Sequence, residues 1–207
     1  MSADPVSTLF QGMALGVSLC CTLGPQSVFV LRQGFSGRAG IEVAAICSFA
    51  DLALIVAGAV GFGALLDAFP ALARSAGWGS AVFILGYGLK LLADAALAER
   101  GLRPAGRARG RTCALAAAVA LSLLNPQVYL EMVGVVGGVA LRFAESDRAV
   151  FVIGVMLVSP VWFFGLAVGG QRLAALLGSH RVTRIFDLTT AVAMLALGTI
   201  LGFAELR

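Results

Sequence analysis

Two acidic residues lie inside apolar parts of the chain, where an ionised side chain is costly. Asp51 lies ten residues into one apolar stretch, and Glu131 lies within another. A charged side chain at the centre of a bilayer costs at least about 2.5–3.5 kcal/mol on insertion scales, so each needs a function or a partner. Two carboxylates in one cavity would suit a cationic ligand or a transferable proton. Asp51 and Glu131 are therefore the candidate residues for proton coupling, the alternative for each being a purely structural hydrogen bond.

A short pattern that ends in Pro-Gln interrupts two of the apolar stretches. The first copy is Leu-Gly-Pro-Gln at residues 23–26, and the second is Leu-Asn-Pro-Gln at residues 124–127. Proline lacks a backbone N–H and clashes with the preceding turn, so a helix should break there. A break inside lipid is tolerated only against protein or a watery cavity. Matched breaks in two halves of a chain are typical of the substrate site of a transporter.

Each break should leave the N-terminus of a helix pointing into the protein. Unpaired N–H groups and the positive end of the helix dipole make such a terminus a good anion site. N–H donors for a carboxylate, together with acids for an ammonium group, match an amino acid, and a cationic side chain would use both acids. The candidate substrate-binding residues are Gly24, Pro25, Gln26, Ser27, Asp51, Asn125, Pro126, Gln127 and Glu131.

The composition is that of a membrane protein. Hydrophobic residues make up 59% of the chain and charged residues 13%, against about 45–50% and 25% in soluble domains. A spanning helix needs about 20 apolar residues. Apolar stretches cover residues 6–30, 41–66, 78–97, 112–141, 149–172 and 182–203. We therefore expect an all-α integral membrane protein, a single domain over residues 1–207, with six transmembrane helices of which the first and fourth are broken at Pro25 and Pro126.

The spacing of the two breaks predicts an internal repeat. Pro126 follows Pro25 by 101 residues, about half the chain. Three spans separate the breaks, and an odd number of crossings inverts the second half relative to the first. We expect inverted three-helix repeats over residues 6–97 and 112–203, joined by a basic cytoplasmic loop at 98–111. The alternative is two coincidental proline kinks, which are common in membrane helices.

The distribution of arginine predicts the orientation of the chain, because cytoplasmic loops carry an excess of Lys and Arg. The odd-numbered loops hold ten arginines, and the opposite side holds four. The ten are Arg32, Arg38, Arg100, Arg103, Arg107, Arg109, Arg111, Arg172, Arg181 and Arg184. This places the odd-numbered loops in the cytoplasm and both termini outside. The run from Arg100 to Arg111 is interpreted as a topology signal that also attracts anionic lipid, and no nucleic-acid partner is expected.

Metal, cofactor and enzyme functions find little support in the sequence. The cysteines fit no zinc spacing, and we expect all four to be buried small hydrophobes. They are Cys20, Cys21, Cys47 and Cys113. The adjacent Cys20 and Cys21 leave a soft-metal site as the alternative. Neither a His-Glu-x-x-His nor a Gly-x-Ser-x-Gly motif is present in the sequence, so we expect no enzyme, no cofactor and no resident metal.

The residues around the breaks resemble those of the LysE family of amino-acid exporters, in its lysine/arginine branch. The similar segments are GPQSVFVLRQG at 24–34, DLALI at 51–55, LNPQVYLE at 124–131 and WFFG at 162–165. The resemblance implies export of lysine, arginine or related cationic amino acids across a bacterial inner membrane, by a homodimer. Ser27, Gln127 and Glu131 stand where the family typically has Asn, His and Asp. The missing His removes one possible proton carrier.

The sequence leaves alternatives open for both the coupling mechanism of transport and the identity of the substrate. Moving a cation out of a negative-inside cell costs about 2.3 kcal/mol per elementary charge per 100 mV. Antiport of one proton would cancel that charge movement, whereas uncoupled efflux would need a steep concentration gradient. An exporter of neutral amino acids, or a metal-cation exporter or channel that uses the same carboxylates, is the alternative function. Trp162, beside Pro160, either lines the cavity or packs in the core.

Overall fold

The structure is a computed structural model that describes most of the chain. The described backbone covers residues 4–21, 24–37, 39–60, 107–177 and 180–205, with shorter pieces between 78 and 93. Within these residues the regular structure is entirely helical. Half of the expected third span at 78–97 and most of the basic loop at 98–111 lie outside the described residues. The described pieces at 78, 82, 84–86, 88–90 and 92–93 are helical.

The first apolar stretch forms two helices with a sharp bend between them. Helix α1 is Pro5–Cys21 and helix α2 is Pro25–Ser36, and their axes differ by 76°. Helix α2 begins as the sequence predicts, with Gly24 extended at its N-cap and Pro25 at its first turn, where the missing N–H costs nothing. It ends at Gly37, whose φ of 63° is the left-handed conformation that favours glycine.

The helix α2 is longer than the sequence predicts, and this changes the position of one arginine. The expected first stretch ends at residue 30, which places Arg32 in a cytoplasmic loop. In the structure α2 continues to Ser36, and Arg32 is 5% exposed within it. Arg32 therefore does not count among the loop arginines. The remaining balance, nine against four, has the same sign.

The fourth stretch is also broken, and its second part is irregular. Helix α4 is Arg107–Leu123 and helix α5 is Pro126–Tyr129. A π-helix, Leu130–Val136, follows directly, and then helix α6, Gly137–Ala140. Helix α4 begins inside the expected loop at 98–111, so the last five residues of that loop are helical. A π-helix is rare and is often found at functional sites, and this one contains Glu131 in its first turn.

The remaining described helices are continuous. Helix α3 is Gly40–Ala59 and carries Asp51. Helix α7 is Glu145–Leu177, with Pro160 inside it, and helix α8 is His180–Glu205. By length and composition, α3 and α7 can each cross a bilayer, and the bent pair α1–α2 would be a third span. The segments Gly110–Leu123 and Leu130–Ala140 are shorter apolar helices.

Helix α7 packs against α1, α2 and α3, and glycines bring the backbones together. A Cβ atom on Gly12 of α1 would collide with the carbonyl of Phe151, and one on Gly154 of α7 would collide with the carbonyl of Leu9. The spacing of Gly12 and Gly16 suits such packing, and Gly16 does contact Val158. A Cβ atom on the equally spaced Gly165 or Gly169 would have no neighbour within 4 Å among the described residues.

A second glycine contact positions α3 against the π-helix. A Cβ atom on Gly58 would lie 2.6 Å from the carbonyl oxygen of Met132, and one on Gly137 would lie 2.6 Å from the carbonyl oxygen of Gly58. Asp51 precedes Gly58 by seven residues, which is nearly two turns of 3.6 residues. The face of α3 that carries Asp51 therefore faces the segment that carries Glu131.

Asp51 lies between two apolar clusters that pack on opposite sides of it along α3. One cluster includes Val43 and Cys47 with residues of α2, α4, α7 and α8. The other includes Ile55 with residues of α7 and the π-helix, among them Phe151. Asp51 therefore lies in a layer between these clusters, and water is largely excluded from both sides of this layer.

Candidate functional site

A small cavity lies between the two helix breaks. Six of its lining residues are among the nine that the sequence predicts for the site, namely Gly24, Gln26, Ser27, Asp51, Asn125 and Glu131. The others come from α1, the π-helix segment and α7, and include Cys20, Met132, Trp162 and Phe163. Its volume is about 30 Å³. That is room for about two waters, so an amino acid requires the walls to move apart.

The two breaks are adjacent in space. The side-chain amide of Gln26, one residue after Pro25, donates to Ser122 Oγ at 3.3 Å, and Ser122 lies four residues before Pro126. Both groups are buried. Two parts of the chain that are 96 residues apart therefore meet beside the two breaks. Pro126 and Gln127 are described by their backbone only, and Pro25 is buried without lining the cavity.

The carboxyl group of Asp51 is the most enclosed charge-bearing group of the cavity. Asp51 is 2% exposed. Ser159 of α7, which is also 2% exposed, donates its hydroxyl to Asp51 Oδ2 at 2.9 Å. The other oxygen, Oδ1, is buried and has no hydrogen-bond partner among the described residues. A buried acceptor without a donor is costly, so Oδ1 marks a position for a proton or a ligand donor.

Two further polar groups lie near Asp51. The amide of Gln26 lies beside the same carboxyl group without completing a hydrogen bond to Oδ1, and Glu131 is close enough to interact with it electrostatically. Glu131 is half-buried, whereas Asp51 is fully buried. The two acids that the sequence predicts therefore share one cavity, in different surroundings.

Helix α7 supplies a third wall of the cavity. The indole Nε1 of Trp162 donates to Ser27 Oγ at 3.2 Å, and both Trp162 and Phe163 line the cavity. Of the two positions that the sequence left open for Trp162, the structure shows the cavity wall, with part of the ring also packed against the core. Ser159 and Trp162 are three residues apart and flank Pro160, so one short segment of α7 contacts both α3 and α2.

The backbone groups that the breaks release are partly satisfied by side chains. At the N-terminus of α2, helix geometry leaves the N–H groups of Gln26 and Ser27 without an intrahelical acceptor, since the N–H of Val28 already bonds the Gly24 carbonyl at 3.3 Å. At the end of α4, the hydroxyl of Tyr129 donates to the Leu123 carbonyl at 2.7 Å. The N-terminus of α2 therefore keeps N–H donors for an anion, while a carbonyl at the C-terminus of α4 is capped by a side chain.

The cysteines differ from the sequence expectation. Cys47 is buried as expected, but Cys21 and Cys113 are exposed. Cys20 is half-buried and lines the cavity. Apolar helices that face lipid can expose a cysteine as readily as a valine, which is why membership of an apolar stretch did not determine burial. Among the described residues no group of three or more His, Cys, Asp or Glu could hold a metal ion.

Ser159, Ser122 and Tyr129 do not line the cavity but bond to its residues or to the second break, and the sequence reasoning missed them. A weak signal was present for the two serines, because each is a lone polar residue close to a proline in an apolar stretch. Tyr129 gave no such signal, since an aromatic residue at a membrane helix end is also expected as an interfacial anchor. Contacts between distant helices decide such roles, and single-helix patterns do not contain them.

Comparison with known proteins identifies the family of the chain. The family model described as LysE type translocator matches residues 17–204. Proteins named arginine exporter protein ArgO, from Salmonella newport and Salmonella typhi, are each 36% identical over 190 residues, which is 91% of this chain and 90% of theirs. No solved structure matches the chain. The chain therefore belongs to the LysE translocator family, whose members are transporters and not enzymes.

Proposed function

We propose that this protein exports cationic L-amino acids, arginine and lysine first among them, from the bacterial cytoplasm. The observation that carries the proposal is the buried Asp51 Oδ1 in a cavity that also contains Glu131 and the N-terminus of α2. Acidic oxygens suit the cationic groups of such a substrate, and helix N–H groups suit its carboxylate. The arginine exporters to which the chain is similar support the same substrate class.

The transport cycle that we propose exchanges the substrate for a proton. Asp51 and Glu131 are the candidate carriers, because they are the acids of the cavity. Export of one positive charge against about 100 mV costs about 2.3 kcal/mol, and the inward movement of one proton cancels this cost. Efflux driven by the amino-acid gradient alone is the alternative.

The architecture that we propose for this function has six transmembrane helices in two inverted repeats. The equivalent positions of the two breaks, 101 residues apart and joined by the contact between Gln26 and Ser122, support it. The arginine balance supports cytoplasmic odd-numbered loops and both termini outside. We further propose a homodimer in the inner membrane, on the basis of the family alone.

Counterflow in proteoliposomes tests the substrate. Vesicles that contain the purified protein and unlabelled arginine should accumulate labelled arginine, and external lysine should compete while divalent metal ions should not. Competition by neutral amino acids as strong as that by lysine would favour a neutral amino-acid exporter. Competition by divalent metals would favour a metal-cation exporter or channel, and absence of counterflow would contradict the proposal.

A further inference from the structure

Asp51, the more deeply buried of the two acids of the cavity, offers a single oxygen to a ligand. Ser159 occupies Asp51 Oδ2, while Oδ1 remains without a partner among the described residues. A guanidinium group binds a carboxylate best through two parallel N–H bonds, one to each oxygen. An ammonium group is a compact charge with three donors and can be satisfied by one oxygen from each of several neighbours. The open face of Asp51 therefore suits an ammonium group.

The position of Asp51 also fits the backbone end of an amino acid. The N-terminus of α2 offers N–H groups at Gln26 and Ser27 for a carboxylate, and the side chain of Gln26 lies beside Asp51. In every α-amino acid the ammonium and carboxylate groups are attached to one carbon, so their two sites must be neighbours. Glu131 lies on the other broken segment and is more exposed.

We propose that Asp51 Oδ1 binds the α-ammonium group of the substrate, that Ser159 positions Asp51 for this, and that Glu131 binds the cationic group of the side chain. This assignment rests on the proposed function and deepens it. Asp51 and Ser159 then serve every amino acid that the protein carries. Glu131 alone separates cationic from neutral substrates.

Three ligands distinguish the two subsites in a competition assay against labelled arginine. Arginine has both cationic groups, 5-guanidinopentanoate lacks the α-ammonium group, and citrulline replaces the guanidinium group with a neutral one of similar shape. The variants are Ser159→Ala, which leaves Asp51 in place, and Glu131→Gln, which removes the second charge. Ser48→Ala is the matched control, because Ser48 is buried on α3, has an unpartnered hydroxyl among the described residues and does not line the cavity.

Ser159→Ala should weaken the binding of arginine and of citrulline by the same factor, roughly 10-fold for the loss of one hydrogen bond to a charged group. The apparent affinity for 5-guanidinopentanoate should change less than twofold. Glu131→Gln should lower the apparent affinity for arginine and 5-guanidinopentanoate at least about tenfold. The apparent affinity for citrulline should stay within twofold of the wild type. Ser48→Ala should match the wild type for all three ligands. A purely structural role of Ser159 would weaken all three ligands together.

The assignment is overturned if Ser159→Ala leaves the apparent affinity for citrulline unchanged, or if Glu131→Gln leaves the apparent affinity for arginine unchanged. The Glu131→Gln arm decides the question even where Ser159→Ala does not fold, and monodisperse elution in detergent checks folding. Wild-type protein that fails to exchange arginine contradicts the proposed function instead. The two failures are therefore distinguishable.

Discussion

At the scale of single residues, Asp51 is held where an ion is least stable. It lies between two apolar clusters, with one carboxyl oxygen bonded to Ser159 and the other directed to no donor among the described residues. An isolated ionised carboxylate in such surroundings is costly, so the group must be neutral or paired with a cation. A group that changes between these two states is suited to carry a proton in one direction and a cation in the other.

The first prediction replaces Asp51 with Asn, which keeps the shape and removes the charge. Arginine counterflow should fall roughly 10- to 150-fold, since a hydrogen bond to a charged group is worth about 1.5–3 kcal/mol, while the protein still inserts in the membrane. Glu42→Gln is the matched control. Glu42 lies on the same helix but is exposed and pairs with Arg111 at 2.9 Å on the surface, where an ion pair contributes little. Normal counterflow by the Asp51 variant would exclude Asp51 from the site.

At the scale of elements, the breaks require other parts of the chain to satisfy the backbone that they release. The Tyr129 hydroxyl does so for the Leu123 carbonyl, across the second break. The same contact ties α4 to α5 and so fixes where Asn125 enters the cavity. Asn125 is 2% exposed and lines that cavity.

The second prediction tests this cap with Tyr129→Phe, which removes only the hydroxyl. The variant should lose about 0.5–1.5 kcal/mol of stability, the net contribution of a typical hydrogen bond, because the contact lies at an exposed position. The measurement is the midpoint of thermal unfolding in detergent, followed by circular dichroism. Ser7→Ala is a control at the start of α1, where an exposed hydroxyl also bonds a backbone carbonyl, of Asp4, but joins no two helices. Equal midpoints for both variants would show that the contact across the break contributes no more than a local hydrogen bond.

The third prediction tests the contact between α3 and the π-helix. In Gly58→Ala the added methyl group would lie 2.6 Å from the Met132 carbonyl oxygen, so the helices must separate at a cost of about 1–3 kcal/mol. Gly134→Ala, in the π-helix, is the matched control because no atom lies within 4 Å of the added group. The melting midpoint should fall for the Gly58 variant only, and arginine counterflow should fall with it because Asp51 and Glu131 are positioned by this contact.

At the scale of the whole molecule, the cavity as it stands cannot contain its proposed substrate. Its volume accommodates about two water molecules, and its walls come from α1, α2, α3, the broken segment after α4, and α7. Admission of an amino acid therefore requires these elements to move relative to one another. The segment of α7 around Pro160 is bonded to both Asp51 and Ser27, so movement of α7 would reach both proposed subsites together.

The fourth prediction concerns the coupling of this movement to protons. In vesicles with an inwardly directed proton gradient, arginine efflux should be at least a few times faster than in vesicles whose gradient has been collapsed by an ionophore. The physical reason is that proton entry cancels the charge carried out by arginine. Counterflow, which needs no net proton movement, should be unchanged by the ionophore and serves as the control. Equal efflux with and without the gradient would exclude antiport.

The sequence by itself determined the class of protein, the two breaks and six of the residues that line the cavity. Proline cannot donate a backbone hydrogen bond, and acids are costly in apolar surroundings. Both facts act within a few residues, which is why Pro25, Pro126, Asp51 and Glu131 could be recognised without a fold. The length of α2 and the burial of Arg32 could not be predicted from the sequence. A polar residue near a helix end can lie equally well in solvent or against a protein partner.

The tertiary structure alone decided which helices meet at the cavity. Ser159 and Trp162 belong to an unbroken helix whose acids lie only in its first turn, and their roles arise only because α7 packs within hydrogen-bond distance of α2 and α3. The same packing leaves one oxygen of Asp51 open and occupies the other. The two hydrogen bonds join residues that are separated by 108 and by 135 positions in the sequence, so they depend on helix packing. Packing is a property of the assembled bundle and not of any segment within it.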